Sequence, residues 1–458
     1  MAKSAKTRNK QVNFGKFERR VQPFNLAFDP AGVKCYDSLV SGKFAKTEET
    51  TRLGRQERGK TFADGLSGSN LERAGDHNQR VTLQAIRVNG PITRTELTEI
   101  VGLTAPTIAN ITKRLLAENL IVEAGRLHGA RGQPAMCLAI NPEGAYAFGL
   151  NIDRDHVTLV ALDFVGRVRA RATREVDFAL PDAILAFVRT QVGKIVKAGA
   201  VDPARLAGIG VALPFAPGGA NLPHRPAAYS VWDDTDVSAL LANVLPHPVL
   251  IENDAAAAAI GELRFGHGLR TRSFVYLLIS AGLGGGLVID GAYFRGAHGL
   301  SGEIGFLPVR SPPANAPQGA KCLQDIVSLS ALYDYLGERG VKATTPGELT
   351  AVAASAKGLI DEWLDLSAEV LCEPLLVLNC AIDPEAILIG GRLPAKIVNG
   401  LCERINHRLL RRAQNAPALA PVMRAALAAD AAAIGAAILP FSDRFLPTPT
   451  ALLKTGEG

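Results

Sequence analysis

The chain has 458 residues, 47% of them hydrophobic and 21% charged, with a formal net charge of +6. That length leaves room for two or three domains around a large core, and the composition is that of an ordinary soluble globular protein. No uncharged apolar run reaches the ~20 residues of a membrane span, and the basic N-terminus has no apolar stretch behind it, which argues against a secretory signal. The six cysteines, Cys35, Cys137, Cys322, Cys372, Cys380 and Cys402, are scattered without a C-x-x-C pair. This fits a protein of the reducing cytoplasm.

Residues 1–75 have little periodic apolar pattern. Lys3, Lys6, Arg8, Lys10, Lys16, Arg19 and Arg20 stand there against a single early acid, Glu18. The stretch reads as a basic, disordered arm, which either adds non-specific attraction to phosphates or is an inert leader. From Asp76 the pattern changes. Val81, Leu83, Ile86 and Val88 follow a helical period that Asn89-Gly90-Pro91 ends. Thr93 or Thr95 opens a second helix, Gly102 makes a turn, and Thr104 is placed to cap a third helix with Ile108, Ile111, Leu115 and Leu116 inward. Two short helices joined by a glycine turn, after a support helix, form a helix-turn-helix pattern. The strand-like runs Leu120–Ala124 and Ala135–Ile140 follow, and the loop between them carries Arg126 and Arg131. Residues 76–142 are therefore expected to be an α+β winged helix-turn-helix domain. Thr104, Thr107, Asn110, Lys113 and Arg114 would meet DNA from the third helix, and Arg126 and Arg131 from the wing.

From residue 143 an α/β pattern runs on. Ala147–Ile152 and Val157–Leu162 are strands around Asp153-Arg154-Asp155-His156, Asp182–Ala198 is an amphipathic helix, and Leu206–Leu213 is a buried strand. Pro217–Tyr229 is a loop expected over a cleft. The short strand Val249–Ile251 delivers Asn253 and Asp254 to its carboxyl end, where Asp254 could simply cap the next helix. Val275–Ile279 is a strand, Gly282, Gly284, Gly285 and Gly286 a turn, and Leu287–Ile289 the returning strand. Such a turn serves either a tight hairpin or the close approach of backbone N–H groups to an anion. Glu385–Gly391 is a further strand, and Ala425–Ile438 an alanine-rich helix.

The stretch GLGGGLVIDGAYFRGAHGLSGEIG, from Gly282 to Gly305, resembles the signature of the ROK family (repressors, open reading frames and sugar kinases). Ile251–Glu262 is similar to that family's segment bearing the catalytic Asp. The resemblance covers roughly residues 76–446. It implies a two-lobed actin-like, hexokinase-like domain over residues 143–446, followed by a tail at 447–458. It also implies a sugar-binding cleft built from Asn253, Asp254, Glu303, Phe306 and Gln324. Phe306 stands where the family's kinases have a His, Gln324 where they have a Glu, and Ala228 where they have an early Asn.

The same resemblance bears on chemistry. Family kinases carry a first phosphate loop, Asp-x-Gly-Gly-Thr, matched here by Asn151, Asp153, Arg154 and Asp155. Acids in place of glycines would repel a triphosphate and obstruct backbone approach. The second loop, Gly282 to Gly286, is retained as a vestige, while Arg392 follows the pair Gly390-Gly391 where a third glycine is common. The family's zinc site needs the missing His and several cysteines, of which Cys322 alone remains, so no metal is expected. The expectation is a cytoplasmic transcriptional regulator that is not an enzyme, with Asp254 vestigial as a catalytic residue. It would need no cofactor, and its partners would be operator DNA, a sugar-derived effector and a second copy of itself. The alternative is an active or bifunctional ATP-dependent sugar kinase.

Overall fold

The computed structural model describes residues 71–127, 135–214, 227–310, 312–413 and 418–447. Arg131, most of the expected cleft loop, nearly all of the N-terminal arm and most of the tail lie outside the described residues.

The head consists of α1 (Leu71–Asn89), β1 (Ile92–Thr93), α2 (Arg94–Val101), α3 (Ala105–Ala117), β2 (Ile121–Leu127) and β3 (Ala135–Ile140), with its strands in the order β1-β3-β2. Helix α1 begins ahead of Asp76, where the apolar pattern sets in. Of the two threonines, Thr93 opens α2. Its hydroxyl accepts the Glu96 N–H at 3.3 Å, and the Glu96 carboxylate accepts the Thr93 N–H at 2.8 Å, a reciprocal capping box. Gly102 ends α2 in the left-handed region at φ 72°, a conformation glycine adopts without cost. Thr104 holds the cap position of α3 without capping it, because its hydroxyl bonds that of Thr107 at 2.9 Å. Ile108, Thr112 and Leu115 are the buried face of α3.

The body contains two lobes of matching topology. The first has β4 (Tyr146–Ile152), β5 (His156–Asp163), β6 (Val168–Glu175), α4 (Pro181–Lys197), β7 (Leu206–Leu213), α5 (Val237–Ala242) and β8 (Val249–Asn253), in sheet order β6-β5-β4-β7-β8. Then α6 (Asp254–Phe265) leads to β9 (Phe274–Ile279), β10 (Leu283–Ile289) and β11 (Ala292–Tyr293). Three helices follow, α7 (Leu329–Gly337), α8 (Pro346–Val352) and α9 (Lys357–Ile382). The chain continues through β12 (Ala386–Gly391), α10 (Ala395–Arg412), β13 (Val422–Arg424) and α11 (Ala431–Phe445). The second sheet runs β11-β10-β9-β12-β13. In each sheet the first three strands are antiparallel and the last two join in parallel. The long helices α9 and α10 have no counterpart in the sequence reading.

Helices α6 and α11 pack against each other, with α11 on β4 and β7 of the first lobe and α6 on β9 and β10 of the second. Their contact is alanine-rich: Ala255, Ala257, Ala258 and Ala259 share a core with Ala431, Ala432 and Ala436. The alanine-rich helix starts at Ala431, later than the expected Ala425, because of a residue distant in sequence. The buried Glu262 carboxylate accepts the N–H groups of Ala426 at 2.8 Å and Leu427 at 3.1 Å, which holds that segment out of the helix.

Head and body are not separately cored. Leu83, Ile86, Leu97, Ile108, Leu115 and Leu138 of the head belong to one cluster with Phe164, Ile434, Ile438 and Phe441 of the body. The Arg80 guanidinium donates to the carbonyls of Asp443 at 2.7 Å and Leu446 at 3.2 Å, satisfying the C-terminus of α11. Arg87, on the last turn of α1, stacks over the Phe265 ring at 4.8 Å. The head is thus seated on the far end of α6, the helix whose first residue is Asp254.

Candidate functional site

The cleft is built from strand ends and helix starts of both lobes. Strand β8 ends at Asn253, whose side-chain oxygen accepts the Ala256 N–H at 3.0 Å and caps α6. Asn253, not Asp254, is therefore the cap. Asp254 is the first helical residue, and its carboxylate accepts the Ala255 N–H at 2.7 Å. One cavity is lined by Asn253, Asp254, Glu303, Phe306, Gln324, Gly282 and Gly284, so all five expected ligand residues come together. The cavity is also lined by Asp153, Arg154 and Ser280, which were not expected to bind effector. Phe306 is 58% exposed and offers its ring at the cavity rim.

Burial, then the nearby Asp153 and Glu303 carboxylates, push the Asp254 carboxyl up to about 7, against the pull of the Ala255 N–H. Burial also raises Glu303. An ensemble of three acids in one cleft, one of them held near neutrality, is suited to accept hydrogen bonds from adjacent hydroxyls.

The glycine turn is placed differently from the expectation. Only Ser280 to Gly282 turn the chain, while Gly284, Gly285 and Gly286 lie inside β10, paired with Leu278, Leu277 and Tyr276. A Cβ on Gly285 would stand 2.5 Å from the Gly302 carbonyl oxygen, and one on Gly286 2.7 Å from the Ala259 methyl. These two glycines let α6 and the Gly302–Ile304 segment lie close on the strand, and they do not line the cavity. Of the expected phosphate-loop glycines, Gly282 and Gly284 alone face it.

The β4–β5 turn is where side chains have filled the space. Asp153 accepts the Arg154 N–H at 2.7 Å and bonds the Ser280 hydroxyl, while Arg154 bonds Ser330. Asp155 meets the His156 ring at 2.7 Å and Arg392 at 2.9 Å. Burial works against ionising Asp155, but the His156 hydrogen bond and the charges of His156, Arg392 and Arg154 outweigh it and hold the carboxyl below its usual value. Asp153, Asp155 and His156 have ligand atoms within 4.8 Å of one another, a spacing that could hold a metal. A cation there would have to displace Arg392 and Ser280 from these carboxylates, so the donor set does not fit one.

On the head, Asn110 and Lys113 are exposed on α3 and Thr107 is half-buried beside them. Arg114, with its side chain 60% exposed, also makes contacts within the chain. It pairs with Glu118 at 3.0 Å and lines a cavity with Arg80, Arg205 and Phe445, which turns it toward the body. Arg126 lies within β2, opposite Met136 and just past a bulge, and not in the loop. Sequence reading passed over Ser280 and Glu175 at strand ends and Ser330 in the first turn of α7, since single polar residues carry no pattern. Arg392 was visible only as the residue after a glycine pair.

Residues 148–442 match the ROK family, and residues 76–122 match a winged helix-turn-helix DNA-binding family. The xylose repressor of Caldicellulosiruptor bescii is 25% identical over 330 residues, covering 69% of this chain and 83% of that protein. The bifunctional enzyme NanE/NanK of Brucella melitensis is 32% identical over 216 residues, covering 47% of this chain and 39% of that protein. A solved structure of a ROK family transcriptional regulator, a homolog of E. coli MLC protein, superposes with a TM-score of 0.61 at 22% identity, covering 84% of this chain and all of that one. Two lobes of one topology, a cleft between them and a winged head ahead of them agree with these matches, and the chain belongs to the ROK family.

Proposed function

We propose that this protein is a sugar-responsive, DNA-binding transcriptional repressor whose kinase-like domain has lost phosphotransfer. The observation that carries the reading is the head seated by a shared core on the two-lobed body, with Arg87 on the end of the helix that starts at Asp254. A ligand that changes how α6 sits between the lobes changes the footing of the DNA-binding head. Loss of phosphotransfer is supported by the β4–β5 turn, whose side chains reach across to Ser280, Ser330 and Arg392. Thr107, Asn110 and Lys113 would contact bases or phosphates, with Arg126 beside them on the wing strand. A two-fold dimer would read two half-sites.

Operator release would be tested by gel shift with the DNA upstream of the gene and a sugar panel beginning with D-xylose. Asp254→Ala and Glu303→Ala should bind DNA as before and no longer respond to sugar. No response to any sugar in the wild-type protein would sink the proposal. A second reading, an active sugar kinase, is favoured by Asp254 standing near neutrality, as a general base should. Sugar-dependent ATP turnover that disappears in Asp254→Ala would establish it.

A further inference from the structure

Arg392 directly follows β12 of the second lobe, yet its charge is matched entirely from the first. Its guanidinium meets Asp155 on the β4–β5 turn at 2.9 Å and Glu175 at the end of β6. It is 9% exposed, the one buried arginine among the described residues. No carboxylate of its own lobe pairs with it among the described residues. Two more contacts cross at the same place, Asp153 to Ser280 and Arg154 to Ser330. Both serines are anchored in the second lobe. Ser330 donates to the Ala281 carbonyl at 2.6 Å, and the Ser280 carbonyl accepts the Leu329 N–H at 2.9 Å.

We propose that Arg392, Asp155 and Glu175 form a latch that holds the two lobes closed around the effector cleft without any bound nucleotide. The latch also makes Arg392 a positioning residue for that cleft, because the turn it grips supplies Asp153 and Arg154 to the cavity wall. The chemistry explains why such a latch can be both firm and releasable. Arg392 and Asp155 form the buried part of the latch, with Glu175 44% exposed at its edge, and removing one partner of a buried pair is strongly destabilising because the other is left buried and unmatched. When the lobes part, both partners regain water, so the net hold on the closed state is modest. That suits a cleft that must admit a ligand and then close on it. Asp155 and Glu175 line a second cavity that shares Arg154 with the one holding Asp254 and Glu303, so an effector and the latch would act on the same β4–β5 turn. This functional consequence rests on the effector reading above; the latch itself does not.

The test uses the full-length protein with no ligand, read by hydrogen exchange. In Arg392→Ala, amides of Asp153–Asp155 and Ser280–Gly282 should exchange about tenfold faster or more, as the closed population falls. Amides of the β7 core should be unchanged. The pair Asp155→Asn with Glu175→Gln should reproduce this from the other lobe, and Arg392→Lys, which can satisfy one carboxylate at a time, should fall between. Wild-type exchange in Arg392→Ala, or in the double carboxylate variant, would overturn the latch. So would acceleration spread equally through β7, which would mean a general loss of stability. Because no sugar or operator is involved, a failed latch and a failed repressor reading give different results.

Discussion

Asp254→Asn should stabilise the ligand-free protein, and should do so only above acidic pH. Asp254 holds its proton in the folded state up to about 7, against an ordinary value of 3.8. Below about pH 4 both folded and unfolded chains keep the proton, so the group contributes no difference. Between there and about pH 7 the unfolded chain ionises while the folded one does not, so stability falls as pH rises. Above that the full cost is present. A rise of roughly three units at about 1.36 kcal/mol per unit gives about 4 kcal/mol. Asp153 and Glu303 share the cleft and will take up part of the change, so about 2–4 kcal/mol is expected at pH 8. Asparagine keeps an oxygen for the Ala255 N–H and removes only the titration. Urea denaturation of both proteins from pH 4.5 to 8.5 would show the variant gaining steadily on the wild type. A stability difference that does not change with pH, or a variant less stable at pH 8, would refute the burial and charge argument.

Asn110→Ala and Thr107→Ala should each relax operator preference by about 1–3 kcal/mol if they lose a base contact, measured by competition gel shift against mutated operators. Arg114→Ala, which breaks a pair with Glu118 on the body side, should leave that preference intact. Gly285→Ala should destabilise by about 1–3 kcal/mol or more, since its new methyl meets the Gly302 backbone oxygen at 2.5 Å; an unchanged melting midpoint would show that the segment yields freely. Burial and the neighbouring Arg264 push Arg87 down to about 10, and its terminal nitrogens have no hydrogen-bond partner. Arg87→Met, which keeps the length over Phe265 and removes the buried charge, should be neutral or stabilising in denaturation. A loss above about 2 kcal/mol would show that the cation is held by more than the ring.

Much of the site was legible through the resemblance of its motifs to the ROK family. The Asn253-Asp254 pair at a strand end, Glu303 in its glycine ribbon and Gln324 after Cys322 were all read from the sequence. The structure brings these four acids and amides to one cavity with Phe306. The head was legible because local rules decide it: the helical period and the Gly102 turn act within a few residues, while the structure chose Thr93 over Thr95 through its capping box with Glu96. Where the reading slipped, a distant group had intervened. Glu262 holds Ala426 and Leu427 out of α11, and the packing of α6 and of Gly302 on β10 makes three glycines a strand where a turn was expected. Arg114 lines a cavity with Arg80, Arg205 and Phe445, which come from segments far from it in the chain.

By itself, the sequence determined the two kinds of domain and the periodic elements, because each follows from the properties of neighbouring residues, and its motifs resembled those of a family whose cleft residues could be matched position by position. Only the tertiary structure decided what Arg392 does. Its partners Asp155 and Glu175 stand more than two hundred positions earlier in the chain, and a charge that far away becomes a partner only when folding brings the two together.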